Sequence, residues 1–198
     1  MSLIRQQERI KIKIKRIKAA LAADKRRWGG FYDDSRGLRY LPPELYIQLG
    51  DFSGGLKYLN WFEKNFPDDC GTPEFLFEWT IILFKSGKLK EAGKKAFETF
   101  CSNMYLLDKY FNREIKKIDK WEDSNIAAAE YVMDYSKYSY GMKELSDFSD
   151  WLRQFTATEK FIDLSNKFIE IQKRLYTETN TDIRRYLGKQ ADQLINIL

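Results

Sequence analysis

An all-α protein is what this sequence predicts, and three observations carry that expectation. Apolar residues recur at three- and four-residue intervals through most of the chain, the spacing of helices that bury one face. No stretch shows a strand-turn-strand pattern. Four prolines and eleven glycines in 198 residues are too few for a turn-dense all-β architecture. With 43% hydrophobic and 16% aromatic residues, the chain can fill a sizeable core.

The first element follows from Leu3, Ile10, Ile14, Ile17 and Leu21. At 100° per residue they fall within about a 60° arc, which predicts an amphipathic helix from Leu3 to Trp28. The alternation Lys11-Ile12-Lys13-Ile14-Lys15 also fits a strand. The alanine-rich continuation through Ala23 and the length favour helix, and Gly29-Gly30 ends it. Residues 31–41 read as irregular, because Tyr32-Asp33-Asp34-Ser35-Arg36-Gly37 is turn chemistry. Beyond Pro42-Pro43 the periodicity predicts helices over 42–49, 52–65, 73–86, 88–103, 104–119, 124–138, 143–156, 158–177 and 181–197. Asp68-Asp69 reads as a cap region before Pro73, and Thr181 and Asp182 as caps of the last helix. Phe161, Leu164, Phe168, Ile171 and Leu175 form an apolar stripe that Leu187, Ala191, Leu194 and Leu198 can match. Packing within one chain is preferred for this pair over pairing across a dimer axis, so monomer and homodimer both stay open. The organisation expected is a basic helix (1–30), a helical core (31–140) and C-terminal helices (141–198).

Charge is unevenly spread. Residues 1–30 carry ten Lys/Arg against Glu8 and Asp24, while the rest holds 24 basic and 27 acidic residues. The basic helix has three readings: an Ile/Leu stripe docked on the body with solvated lysines outside, contact with an acidic partner such as nucleic acid, or a membrane surface. Docking is preferred. No aromatic residue interleaves with the lysines to stack a base or to enter a lipid interface.

The chain has no histidine, which removes Ser-His-Asp and Cys-His catalysis and histidine-ligated zinc or haem. Two cysteines cannot complete a four-ligand zinc site, and Cys70 and Cys101 read as unconnected thiols. Neither a metal nor a cofactor is expected. No apolar run approaches the ~18 residues of a membrane span, and the N-terminus is not a signal-peptide core. The expected setting is cytoplasmic.

Two segments superimpose at an offset of 37 residues. Leu45–Leu56 runs on to Phe66-Pro67, and Ile82–Gly93 runs on to Phe100. In each, a helix ends in glycine (Gly50, Gly87), a large apolar anchor follows two residues later (Phe52, Leu89), and a small residue (Gly55, Ala92) follows at five. This resembles the tetratricopeptide repeat, a helix-turn-helix unit. Leu76, Trp79, Thr80, Leu83, Gly87, Leu89, Ala92 and Thr99 carry the likeness in the second copy, and Tyr46, Gly50, Phe52, Gly55, Leu59 and Pro67 in the first. Leu76, Thr80, Ala96 and Phe62 depart from the residue types the family prefers. A third, poorer copy lies around Trp121–Ser136. The resemblance implies an α-α superhelix of stacked antiparallel helix pairs over residues 40–138.

It also implies where a partner binds. First helices of such repeats line a concave face that takes peptides, which assigns Tyr40, Glu44, Gln48, Glu74, Phe77, Ile81 and Lys85 to a partner-binding groove. The helix over 73–86 is apolar all round, so neighbouring helices could instead cover Phe77, Ile81 and Phe84. The functional expectation is a non-catalytic helical-repeat module that binds a protein or peptide. The alternative is a carboxylate-dependent, hydrolase-like enzyme using Tyr32, Asp33 and Asp34 beside the concave face. Against it, Asp-Asp-Ser before Arg-Gly is also an ordinary turn, and no catalytic residue is assigned.

Overall fold

A computed structural model describes residues 3–135 and 137–197, with the side chains of Leu3, Asp134 and Tyr135 excepted. Leu3 and Leu198, placed on apolar stripes by their spacing, therefore lie outside the described side chains, as does Ser136 of the third repeat copy. The described residues form ten α-helices and three short 3₁₀ turns, and none is in a strand. Among them no helix is long and apolar enough to cross a membrane.

The basic helix α1 (Leu3–Arg27) docks as its stripe requires. Ile14, Ile17 and Leu21 are buried against Leu45, Tyr46 and Tyr58 of the next two helices. α2 (Pro42–Leu49) and α3 (Phe52–Asn65) form one antiparallel pair, α4 (Pro73–Lys85) and α5 (Leu89–Ser102) the next. α2 also lies along α4, so the two first helices are neighbours. Gly50 and Gly87 close the two turns at φ 66° and 74°, left-handed conformations that cost glycine nothing. At Gly55 an added Cβ would stand 2.9 Å from Ile82 Cδ1, which fixes how closely α3 approaches α4. Ala92 is fully buried at the corresponding place on α5. The anchors differ: Phe52 is half-buried, but Leu89 is 53% exposed and packs no core.

α4 is the central helix, with every residue from Pro73 to Leu83 buried. Phe75, Trp79, Ile82 and Leu83 pack with Leu59, Phe62 and Ala92 on one side. Phe77 and Ile81 join a second core with Phe97, Tyr110, Val132, Tyr138 and Phe148 on the other. The caps are close to those expected but shifted. Thr72, not Asp68-Asp69, caps α4, and Asn180 caps the last helix through the N–H groups of Asp182 and Ile183.

Residues 104–138 depart from the helices expected there. α6 (Leu106–Tyr110) is short, because Asn112 turns the chain at φ 55°. Residues 113–122 run without helix, held by the N–H of Trp121 donating to the carbonyl of Gln172 and that of Ile118 donating to Tyr105 Oη. α7 begins only at Ala129 and runs to Tyr135, its approach fixed by Asn103, whose amide donates to the carbonyls of Ile126 and Ala128. α8 (Ser146–Thr156), α9 (Glu159–Thr177) and α10 (Thr181–Ile195) complete the fold. α10 folds back on α9 and α5, burying Leu187, Ala191 and Leu194 within one chain. Both cysteines are free.

Candidate functional site

The inner face of the α2–α4 pair gathers most of the residues expected to bind a partner. Glu44 stands one helical turn before Gln48, whose amide donates to Glu44 Oε1 at 3.0 Å. Across the helix contact lies Glu74, in the first turn of α4, and four residues on comes Glu78. That i, i+4 spacing puts Glu74 and Glu78 on one face. The face is not open. Chain from α7 to α8 lies over it and meets each of Glu44, Glu74 and Glu78 with a specific donor. Tyr131 Oη donates to Glu74 Oε2 at 2.6 Å, Lys137 Nζ to Glu44 Oε2 at 2.6 Å, and Tyr138 Oη to Glu78 Oε1 at 3.0 Å. At the far end Lys85 donates to the carbonyl of Glu144 and pairs with Asp147.

Phe77 and Ile81, assigned to the groove by resemblance, are 2% and 0% exposed. Phe77 packs its ring against Tyr110, Tyr138 and Phe148. The chain supplies its own cover for both, because α4 has apolar residues on both sides and both must be buried. Tyr40 is also not on this face. Its hydroxyl donates to Asp69 Oδ1 at 2.6 Å and accepts from Arg39 Nη2 at 2.9 Å, at the edge where Phe62 and Phe75 pack. Glu44, Glu74 and Lys85 each bond to chain from residues 131–147, while Gln48 is exposed and bonds to Glu44.

Glu78 is the member that sequence reasoning missed. An acid inside an otherwise apolar helix, one turn from another acid, was the available signal. Glu78 is 2% exposed, and burial pushes its carboxyl up to about 8, so it is largely protonated at neutral pH. Burial also raises Glu74, opposed by the bond from Tyr131, and Glu74 Oε1 is buried without a hydrogen-bond partner. Burial works against the charge of Lys137, but Glu44 and Glu78 outweigh it and hold the ammonium above its ordinary range. The face thus carries three acidic side chains, two of them accepting from phenols and one from an ammonium of the same chain. Among the described residues, no group of three or more Cys, Asp or Glu is spaced to hold a metal ion.

The residues of the enzymatic alternative do not converge. Asp34 is buried and accepts from the N–H groups of Leu38 and Arg39 and from Arg39 Nη1, all at about 3 Å. Arg39 reaches Asp69 as well, and the two carboxylates raise its pKa despite burial. Asp33 points to solvent, and Tyr32 donates to Asn65. This is a turn braced by one arginine, to which Asp34 and Asp69 are already committed.

Compared with known proteins, the chain matches no family model, no curated protein and no solved structure.

Proposed function

We propose that this chain is a non-catalytic helical-repeat interaction module of tetratricopeptide type, whose acidic inner face on α2 and α4 holds protein segments carrying tyrosine and lysine. One observation carries the reading. Three acidic side chains on that face, the carboxylates of Glu44 and Glu74 and the largely protonated Glu78, each receive a Tyr or Lys donor from a single stretch of the chain, residues 131–138. A surface that selects its cover by side-chain hydrogen bonds can select a partner segment by the same bonds. The stacking of α2/α3 on α4/α5, the glycine-closed turns and the close crossing at Gly55 support the superhelical part of the proposal. In this arrangement the groove is held by its own chain, and a partner competes for it.

The test is binding of a labelled peptide spanning residues 129–147 to the full chain carrying Lys137→Glu and Tyr138→Ala, which weaken the internal cover. Fluorescence anisotropy is expected to show binding to this variant, weaker binding to the unaltered chain, and loss when Glu44→Gln and Glu74→Gln are added. Lys137→Met alone, at an exposed position, serves if the double variant does not melt cooperatively. A folded variant that leaves the peptide free contradicts the proposal.

A further inference from the structure

The solvent side of α1 is a second surface, independent of the inner face. Arg5, Lys13, Lys15, Arg16, Lys18 and Arg26 are exposed along it. The two acids of the helix do little to offset them: Glu8 pairs with Lys11, and Asp24 accepts from the N–H groups of Asp33 and Asp34. The helix itself has no aromatic residue to combine with this charge. The fold supplies them.

A cavity of about 500 Å³ opens between α1 and α3, walled by Tyr32, Tyr58 and Trp61 and rimmed by Lys18, Lys25 and Arg26. Lys25 Nζ lies 5.1 Å from the centre of the Tyr32 ring and donates to Asn65 Oδ1 at 2.8 Å. A second opening adjoins it past Gly30 and Phe31, towards Lys64. Phe31, which lines this second opening, is 78% exposed, and Trp28, at the end of α1 three residues before it, is 50% exposed. Gly29 and Gly30, at φ 62° and 106°, turn the chain between those two rings.

We infer that this end of α1 binds single-stranded nucleic acid. The cations of α1 track phosphates, Trp28 and Phe31 offer faces on which bases stack, and the Tyr32–Trp61 cavity admits an unstacked base. A cationic track beside aromatic platforms is the chemistry that single strands require. A duplex keeps its base faces inside the stack and reaches only the cations. An anionic bilayer would meet the cations and the exposed rings but leave the cavity empty.

The experiment titrates a fluorescein-labelled oligouridylate with the full chain and follows anisotropy at several salt concentrations. Trp28→Ala with Phe31→Ala is expected to weaken binding about tenfold or more. Lys18→Ala with Arg26→Ala should lower the slope of log K against log salt by about 1.4, two phosphate contacts' worth for a single strand. Ala22→Trp, an exposed change that fills the cavity from its rim, should also weaken binding. All these positions are exposed, and a thermal melt matching the unaltered chain shows that the fold is kept. Three results overturn the inference. They are no binding at low salt, equal binding by the Trp28→Ala/Phe31→Ala chain, or cosedimentation with phosphatidylserine vesicles that the oligonucleotide does not compete away.

Discussion

Glu78 illustrates what one buried carboxyl does to this fold. In water its pKa would sit near 4.5, and in the folded chain burial lifts it to about 8. Between those values the folded protein keeps a proton that the unfolded chain has lost. Stability from this group is therefore fully present below pH 4.5 and drains away as pH rises through 8. Glu74 shifts in the same direction, while Glu44, Lys137, Tyr131 and Tyr138 are the polar groups around the pair. Glu78→Gln keeps the shape and cannot ionise. Urea melts are expected to show the unaltered chain losing a few kcal/mol between acidic and mildly alkaline pH, and the variant losing distinctly less. Equal pH dependence in the two chains would show that Glu78 ionises freely. At this scale the sequence was only partly legible. The repeat resemblance assigned Glu44, Gln48, Glu74 and Lys85 to one groove, but no local pattern could reveal that Tyr131, Lys137 and Tyr138, about 60 residues further on from α4, would bond to Glu74, Glu44 and Glu78.

At the scale of elements, helices were legible where local periodicity and turn chemistry agreed. α2, α3, α9 and α10 start within a residue of their expected positions, each at a Pro or just after a polar cap residue. The stretch 104–138 was not, although Leu107, Phe111, Ile115 and Ile118 keep helical spacing. Ile115 and Ile118 are partly buried against the core from a non-helical backbone, so tertiary contacts overrode the local pattern. α1 offers the sharpest test of an element. Its Ile14, Ile17 and Leu21 cover Leu45, Tyr46 and Tyr58, and Lys25 bonds across to Asn65. Removing residues 1–28 bares that apolar surface and should cost at least ~3 kcal/mol in a urea melt. An unchanged melt would mean that the helix is an appendage to the body.

For the whole molecule, α4 is the helix buried on all sides, with α2, α3, α5 and α8 packed directly against it and α1, α9 and α10 packed on those neighbours. α3 and α5 cover one side of α4, and α6, α8 and the Tyr131–Tyr138 stretch cover the other. The all-α class was legible from composition and spacing alone. That neighbours could cover Phe77, Ile81 and Phe84 was legible from a helix apolar all round, but which chain does so was not, because Tyr110, Tyr138 and Phe148 come from beyond α5. The claim that matters most is the proposal that this inner face binds segments through its acidic side chains. Backbone NMR of the unaltered full chain, titrated to millimolar concentrations of the 129–147 peptide, tests it most directly. Shifts concentrated at Glu44, Gln48, Glu74, Phe77, Glu78, Ile81 and Lys85, with Tyr131 and Tyr138 moving as they are displaced, are the result predicted. A spectrum that stays unchanged, or shifts confined to the outer helices α3 and α5, would contradict it.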